Sequence, residues 1–256
     1  MFRHFLIGGR TSFMLGKNMN KISYKKYHRD TDYVKNESLF RNIFMNRFNL
    51  IRPHFAKASR GKVLDIGCSN GVFLDIYKEH GWQTFGVEPS ASGAEAERKG
   101  HKVSRIYFEK SVFPDNYFDL VIMNHTLEHV EDVGVVLKKI NGILKKEGIL
   151  FVDVPNAGGL GSKIMGDKWP YRLPKEHSYQ FTKASLSEKI KGAGFKILHW
   201  RSRSGLFEFA NPLLELWQSF SGLKKRFFTD LLGLPYSALV TGLNMGDSMS
   251  VIAEKV

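Results

Sequence analysis

Residues 63–74 of this 256-residue chain read VLDIGCSNGVFL. The apolar run at 63–66 is typical of a buried strand, and the two glycines after it, Gly67 and Gly71, predict a turn that leads directly into a helix. One carboxylate, Asp65, lies inside the apolar run. Backbone amides at such a turn can approach a nucleotide closely, although other ligands would profit from them too. The stretch therefore predicts an α/β fold with a ligand site at the turn.

Short apolar runs alternate with amphipathic segments along the rest of the chain. The predicted strands are 63–66, 84–87, 102–105, 118–123, 149–154, 195–201 and 248–253. The predicted helices are 36–57, ended near Pro53, then 71–80, 91–99, 133–146 and 182–192, with Thr182 as an N-cap. This alternation predicts a parallel sheet with right-handed crossovers, and such sheets bind ligands at the carboxyl ends of their strands. The 67–71 turn, Glu88 and the segment after Met123 should then share one rim.

The positive charge is concentrated at the N-terminus. Of a net charge of +13, most belongs to residues 1–60, which hold 13 lysines and arginines and three acidic residues. Basic segments attract nucleic acid, anionic lipid or acidic substrates without choosing among them, and a solvated face with no partner is the alternative. Residues 1–35 are predicted to form a basic, partly disordered segment.

The cysteine content and the hydropathy pattern bear on the compartment. The single cysteine, Cys68, excludes an internal disulfide and fits a reducing environment. The apolar run at 5–7 is too short for a signal-peptide core, and no uncharged window approaches the roughly 20 residues of a membrane span. A cytoplasmic protein is expected.

Residues 204–246 form an insertion before the last strand. Asn211 followed by Pro212 is the cap-then-proline order of a helix start. After it, an apolar stripe recurs at helical spacing, formed by Leu213, Leu216, Trp217 and Phe220. One interpretation is a helical lid whose stripe packs on the core. The other is an interfacial helix at the inner face of a membrane, because basic and aromatic residues adjoin the stripe. The core is assigned to 36–203 and its final strand to 247–256.

The chemistry of the turn favours a cationic ligand. A dinucleotide fingerprint needs a third glycine three residues after the second, and position 74 is leucine. A pyrophosphate would also meet the charge of Asp65, whereas a ligand with a sulfonium and an amino group would be attracted by it. Glu88 can accept hydrogen bonds from two ribose hydroxyls, a role that would equally suit NAD.

Several segments together resemble class I S-adenosylmethionine-dependent methyltransferases. They are VLDIGCSNGVFL, GVEPS at 86–90 and FDLVIMNHTLEHVEDVGVVLKKINGILKKEGILFVDVPN at 118–156, with PKEHSYQFTKASLSEKIKGAGF at 174–195. The similar subgroup is bacterial and has an LEH turn after the fourth strand; the resemblance covers residues 61–201. It implies a Rossmann-like, seven-stranded, mostly parallel sheet with helices on both faces and an antiparallel last strand. It also implies S-adenosylmethionine (SAM) as the cofactor.

The resemblance implies roles for particular residues. Those assigned to the methionine end of SAM are Asp65, Gly67, Cys68, Gly71 and Asn124. Glu88 would hold the ribose and Pro89 would border the adenine. The family often places an acid after the third strand against the adenine amino group, and Phe108 or Glu109 is expected to do that work here. His125 would lie beside the methionine portion.

A hydroxyl acceptor benefits from a base whose pKa is near neutrality, and histidine fills this role well. Among His125, His129 and His177 we favour His177, in the loop at 155–181, with His125 as the second catalytic candidate. A histidine that only ties the loop together is the alternative. Glu128 is expected to cap a helix starting near Val130, because acids suit helix N-termini.

A divalent-metal site of His125, Glu128, His129 and His177 is a further alternative. Some relatives with a Glu-x-x-Glu-His turn and a later histidine hold metal this way, but here the first acid is replaced by His125. The spacing permits a metal without demanding one, so no metal is predicted.

The fourth strand ends in Asn-His-Thr-Leu, not in the Asn-Pro-Pro-Tyr type of sequence with which the family methylates planar amide or adenine nitrogens. No added nucleic-acid module is apparent either. The sequence therefore predicts O-methylation of a small-molecule, glycan or lipid-linked acceptor, with nucleic acid disfavoured. Peripheral membrane contact would involve 204–246 and the basic N-terminus. The alternatives are an NAD(P)-dependent oxidoreductase and a non-catalytic, membrane-associated binding protein that retains the fold.

Overall fold

A computed structural model of the protein describes residues 36–55, 60–222 and 226–256. Within them one seven-stranded sheet has the order β3-β2-β1-β4-β5-β7-β6. Its strands are β1 (Lys62–Ile66), β2 (Gln83–Val87), β3 (Lys102–Ser104), β4 (Phe118–Asn124), β5 (Leu144–Pro155), β6 (Phe195–Arg203) and β7 (Ser248–Lys255). Strands β1 to β5 pair in parallel, whereas β7 runs antiparallel between β5 and β6. The predicted fold class is confirmed.

Eight helices accompany the sheet in the part of the chain that the structure describes. They are α1 (Glu37–Ile51), α2 (Val72–Glu79), α3 (Gly93–Arg98), α4 (Val133–Ile143), α5 (Leu160–Met165), α6 (Lys183–Gly192), α7 (Pro212–Ser221) and α8 (Arg226–Gly242). None of these helices is long and apolar enough to cross a membrane. The predicted basic segment at 1–35 lies outside the described residues.

The fourth helix ends earlier than its pattern suggests. Its predicted span of 133–146 is wrong at the C-terminal end, because Leu144 already belongs to β5 and pairs with Phe118 of β4. Strand pairing within the sheet overrides the local helical periodicity there.

Two hydrophobic clusters cover the two faces of the sheet. On one face α4 and α6 pack Leu137, Ile140 and Leu186 against the sheet. On the other face α1 and α2 contribute Phe44, Phe48, Phe73 and Ile76. Because the central strands are buried on both faces, they read as almost continuous apolar runs. The ends of these central strands are therefore where the sheet can present side chains to a ligand.

A buried ion pair fixes α1 to the carboxyl edge of the sheet. Arg47 of α1 donates from Nε to Asp153 Oδ2 of β5 at 3.2 Å and also pairs with Glu208, just before the insertion helices. The hydroxyls of Ser248 and Ser250 on β7 donate to Asp153 at 2.6 Å each. The network joins four separate elements at the rim.

The insertion is helical, but its apolar stripe faces outward. Asn211 caps α7 by accepting a hydrogen bond from the Leu214 amide at 3.0 Å, as the sequence predicts. Leu213, Trp217 and Phe220 are 78%, 64% and 53% exposed, and Leu216, the fourth residue of the stripe, is half-buried. Glu215 and Ser219 on the opposite side are buried. The interpretation that this stripe packs on the core is therefore wrong. Polar residues four apart define the inner face of α7.

Candidate active site

The turn after β1 depends on both of its glycines. Gly67 and Gly71 have φ of +83° and +81°, which residues with a side chain rarely adopt. A Cβ atom on Gly67 would also lie 2.5 Å from Thr126 Oγ1, and one on Gly71 would lie 2.8 Å from His101 Cδ2. The Gly67 amide donates to Val87 O at 2.7 Å. The turn is thus packed tightly against the ends of β2 and β4.

Unsatisfied polar atoms are buried around this turn. Asp65 is only 3% exposed, and its Oδ1 has no hydrogen-bond partner among the described residues. Burial, with a smaller contribution from the charge of Glu88, raises the pKa of Asp65 to about 8. The same stretch of the chain leaves both amide atoms of Asn70 and the Oδ1 of Asn124 without partners. Since buried polar groups are normally hydrogen-bonded, this cluster fits a polar, positively charged ligand.

Glu88 ties the turn to the segment after β2. Its Oε1 accepts from the Ser90 amide at 2.8 Å and its Oε2 from the Ser69 amide at 3.0 Å. A carboxylate at the end of β2 is the kind of acceptor that can hold a ribose diol. Pro89 follows it, half-buried.

Cys68 is a packing residue. Its thiol is buried and lies so close to β2 that a Cβ on Gly86 would be 2.5 Å from Sγ. Burial, assisted by Asp65 and Glu88, raises the pKa of the Cys68 thiol well above its usual value. Its part in the turn is played by its backbone, whose amide donates to Val87 O at 3.3 Å.

The residues after β3 divide between core and surface. Phe108 is buried in the core, where its ring stacks 6.4 Å from that of Phe113 and carries Lys139 Nζ at 4.7 Å. It is therefore not placed to contact an adenine. Glu109 is exposed and stays the candidate.

His125 lies between two carboxylates directly after β4. Its Nδ1 is 3.4 Å from Glu128 Oε1 and its Nε2 is 3.5 Å from Asp153 Oδ1. Burial acts to lower the pKa of His125, but the close contact with Glu128 and the charges of Glu128 and Asp153 outweigh it, so the pKa is raised. A positive φ of 51° and a hydrogen bond from its amide to Asp153 O, at 2.8 Å, fix the residue. Both ring nitrogens of His125 face carboxylates and its pKa is raised, so this geometry favours a positioning role.

Glu128 does not cap a helix, contrary to expectation. Helix α4 begins at Val133, and Asp132 caps it by accepting from the Gly134 and Val135 amides at 2.8 and 3.0 Å. Glu128 instead lies in the 3₁₀ turn Leu127–His129, 1% exposed. Burial would raise its pKa, but His125 and the other nearby histidines lower it overall.

Glu128, His129 and His177 gather into one cluster. They can each offer one ligand atom within 4.8 Å of the other two, and the His129 and His177 rings lie 4.8 Å apart. His129 Nδ1 contacts Glu176 O at 2.9 Å, the kind of backbone contact that orients metal-binding histidines. These three residues could hold a divalent cation. His125, the fourth residue considered from the sequence, does not belong to the group.

His177 is buried, with 2% exposure, and its Nδ1 has no hydrogen-bond partner within the described ranges. Burial is the main reason that the pKa of His177 is lowered to about 4, and the neighbouring His129 and His125 contribute. The Tyr179 amide donates to Glu128 O at 3.2 Å and so ties the 155–181 loop to the LEH turn. His177 is thus a neutral imidazole held against the turn that follows β4.

Asn70, Arg47 and Asp153 were not singled out from the sequence. Asn70 lies within the quoted turn, so its position was a usable signal. Arg47 and Asp153 are 106 residues apart, and only the fold brings them together.

Comparisons with known proteins agree with this geometry. The profile of the methyltransferase domain family matches residues 41–200. A ubiquinone biosynthesis O-methyltransferase of Rhodopseudomonas palustris is 26% identical over 200 residues, which cover 71% of this chain and 74% of the relative.

Solved structures share the fold. Phosphoethanolamine N-methyltransferase 2 of Haemonchus contortus, in complex with SAM, superposes with a TM-score of 0.67 at 20% identity, covering 91% of this chain and 60% of that one. A SAM-dependent methyltransferase of Thermotoga maritima gives 0.59 at 19% identity, covering 89% and 97%. The chain belongs to the methyltransferase domain family and is a SAM-dependent methyltransferase.

Proposed function

We propose that the protein transfers the methyl group of SAM to a hydroxyl oxygen of a small-molecule, glycan or lipid-linked acceptor. Two observations carry this proposal: His177 is buried and neutral beside the turn that follows β4, and the ends of β1 and β4 hold the unsatisfied polar atoms of Asp65, Asn70 and Asn124. His177 is neutral at pH 7 and can therefore accept a proton, although a pKa of about 4 makes it a weaker base than a histidine that titrates near neutrality. The polar cluster suits a cationic donor molecule.

The cofactor site would divide its work between two carboxylates. Asp65, with the amides of Asn70 and Asn124, would hold the charged methionine end. Glu88 would hold the ribose, and Pro89 and Glu109 would border the adenine. SAM supplies a methyl group that is already activated, so the chain's own residues mainly align the acceptor and exclude water.

The acceptor's proton is the remaining requirement. The unpartnered Nδ1 of His177 would take it as the oxygen is methylated. His125, pinned between Glu128 and Asp153, would keep the LEH turn and the end of β5 in register. Relatives named ubiquinone biosynthesis O-methyltransferases support oxygen as the methylated atom.

The acceptor is best found by labelled-methyl transfer from SAM into cell extracts that are then separated into organic and aqueous phases. We expect label in the organic phase or in small aqueous products. Label found only in RNA would contradict the proposal. With the acceptor identified, His177→Gln should lower kcat by about 10²-fold or more while SAM affinity is retained. His80→Gln, on an exposed histidine at the end of α2, is the matched control.

The Glu128, His129 and His177 cluster supports a second arrangement, in which a divalent cation is held there and lowers the pKa of the acceptor hydroxyl. In that case His177 is a ligand and not a base. Excess chelator separates the two: methyl transfer should persist if His177 is the base, and should stop and be restored by a divalent cation if the cluster holds metal.

The outward apolar stripe of α7 supports peripheral membrane contact. Exposed apolar side chains continue along α8, among them Phe228, Leu231, Leu232 and Leu239. A helix that buries polar residues and exposes aromatic ones suits an interface more than water.

A further inference from the structure

A second concave site lies along the edge strand β6, next to α1 and the start of the insertion. It is a groove of about 490 Å³. One side is apolar and includes Leu50, Phe207 and Pro212, and the other side carries His199, Arg201 and Arg203. The three basic residues alternate along β6 and therefore point to the same face of the sheet. The groove is thus half apolar and half cationic.

Arg203 is a buried guanidinium without an acidic partner. It is 7% exposed, and its Nη1 donates to Ser250 Oγ at 3.1 Å. Within the described residues no carboxylate forms an ion pair with Arg203 or with the exposed Arg201. A buried charge that lacks a counter-charge is expensive, so such a group normally marks a place where an anion binds.

The nearest acids are already satisfied. Asp153 accepts from Arg47, Ser248 and Ser250, and Glu208 pairs with Arg47. Because Ser250 donates its hydrogen to Asp153, only its oxygen remains to accept from Arg203. Burial and the charges of Arg47 and Arg201 lower the pKa of Arg203 to about 10, and the charges of Asp153 and Glu208 oppose this shift without outweighing it.

His199 adds a ring nitrogen to the same side of the groove as Arg201 and Arg203. The Nε2 of His199 is buried and has no hydrogen-bond partner in the described part of the chain. The His199 ring lies 6.3 Å from that of His54, in the 3₁₀ turn that follows α1. Two guanidinium groups and one imidazole can together donate to several oxygens of one tetrahedral anion, and planar guanidinium forks match phosphate well.

We propose that this groove binds a phosphate ester, with the phosphate against Arg201, Arg203 and His199 and its apolar substituent against Leu50, Phe207 and Pro212. The ester could be the headgroup of an anionic phospholipid or a soluble phosphate compound. Both present the same chemistry to the groove. The site is separate from the turn that holds the cofactor and does not depend on the nature of the methyl acceptor.

The test uses the full-length protein and hexyl phosphate below its micelle concentration, measured by calorimetry. Saturable binding is expected, tighter than binding of inorganic phosphate and absent for hexanol. Arg201→Gln and Arg203→Gln should each weaken binding by about tenfold or more, the loss expected for one charge-assisted hydrogen bond. Arg98→Gln, on an exposed arginine of α3, is the matched control and should change nothing.

Unchanged SAM affinity shows that each variant is folded. If the variant of the buried Arg203 does not fold, Arg201→Gln alone tests the proposal. Failure of the wild-type protein to bind hexyl phosphate would overturn the proposal, as would equal binding by wild type and Arg201→Gln. Vesicles identify the source. Displacement of hexyl phosphate by phosphatidylcholine vesicles that contain phosphatidylglycerol, but not by pure phosphatidylcholine, assigns a lipid headgroup. No displacement by either assigns a soluble ester.

Discussion

At the scale of single residues, Asp65 is the side chain on which the proposed cofactor site depends most. It is buried in β1 with an unpartnered oxygen, and its pKa of about 8 means that the ligand-free protein keeps it largely protonated at neutral pH. A cationic ligand would favour the ionised form and so be bound in exchange for a proton.

Replacing Asp65 should make the ligand-free protein less sensitive to pH. Folding raises the pKa of Asp65 from 3.8 to about 8, so the stability it contributes is present below pH ~4 and lost as pH rises through ~8. The Asp65→Asn variant does not lose stability in this way. The Tm of the variant minus the Tm of the wild type should therefore increase from pH 5 to pH 8. The exposed Asp115→Asn should show no such trend. Parallel Tm curves for Asp65→Asn and wild type would refute the assignment.

At the same scale, the sequence was sufficient for residues that act locally. The strand, the turn and the helix around Asp65, Gly67 and Gly71 could be predicted because they follow one another within twelve residues. The pairing of His125 with Asp153 could not be predicted from the sequence, because it depends on how β4 and β5 align. The expected cap at Glu128 failed because an acid near a helix start can equally be drawn into a buried histidine cluster.

At the scale of single elements, α4 depends on Asp132. Asp132→Ala removes the acceptor of two amide hydrogen bonds and should lower the free energy of unfolding by about 1 kcal/mol in urea titrations. Asp132→Ser should restore most of the loss, because serine also caps. An alanine variant as stable as wild type would show that α4 begins elsewhere.

The outward stripe of α7 should govern vesicle association and not stability. Leu213→Ser and Trp217→Ser remove exposed apolar surface, so each should reduce co-sedimentation with lipid vesicles several-fold and shift Tm only slightly. Val112→Ser, at a residue that is 92% exposed outside the insertion, is the control. A large drop in Tm for Trp217→Ser, with vesicle association unchanged, would mean that the stripe packs within the protein.

The same helix shows a limit of periodicity. The spacing of Leu213, Trp217 and Phe220 predicts an amphipathic helix but not the direction of its apolar face. That direction depends on how α7 packs on α8 and on the turn Gly205–Glu208, and the spacing of apolar residues within α7 does not encode this packing.

At the scale of the whole molecule, the Arg47 network joins α1, β5, β7 and the start of the insertion. Arg47→Met would leave Asp153 and Glu208 without their cation and should cost about 3–5 kcal/mol of unfolding free energy. Arg41 lies on α1 like Arg47, but its ion pair with Glu79 of α2 is exposed. Arg41→Ala, which breaks this pair, should cost about 0–1 kcal/mol of unfolding free energy. Equal losses in urea unfolding would show that the buried pair does not hold the elements together.

The binding of SAM by the carboxyl-edged turn is tested most directly by calorimetry at pH 7 in two buffers with different ionisation enthalpies. Wild-type protein should bind SAM and release close to one more proton than Asp65→Asn does, because the ligand ionises Asp65. The variant should also bind SAM about 10- to 100-fold more weakly, the loss expected for one hydrogen bond to a charged group. Equal affinity and equal proton release in the two proteins would contradict the assignment of this turn as the cofactor site.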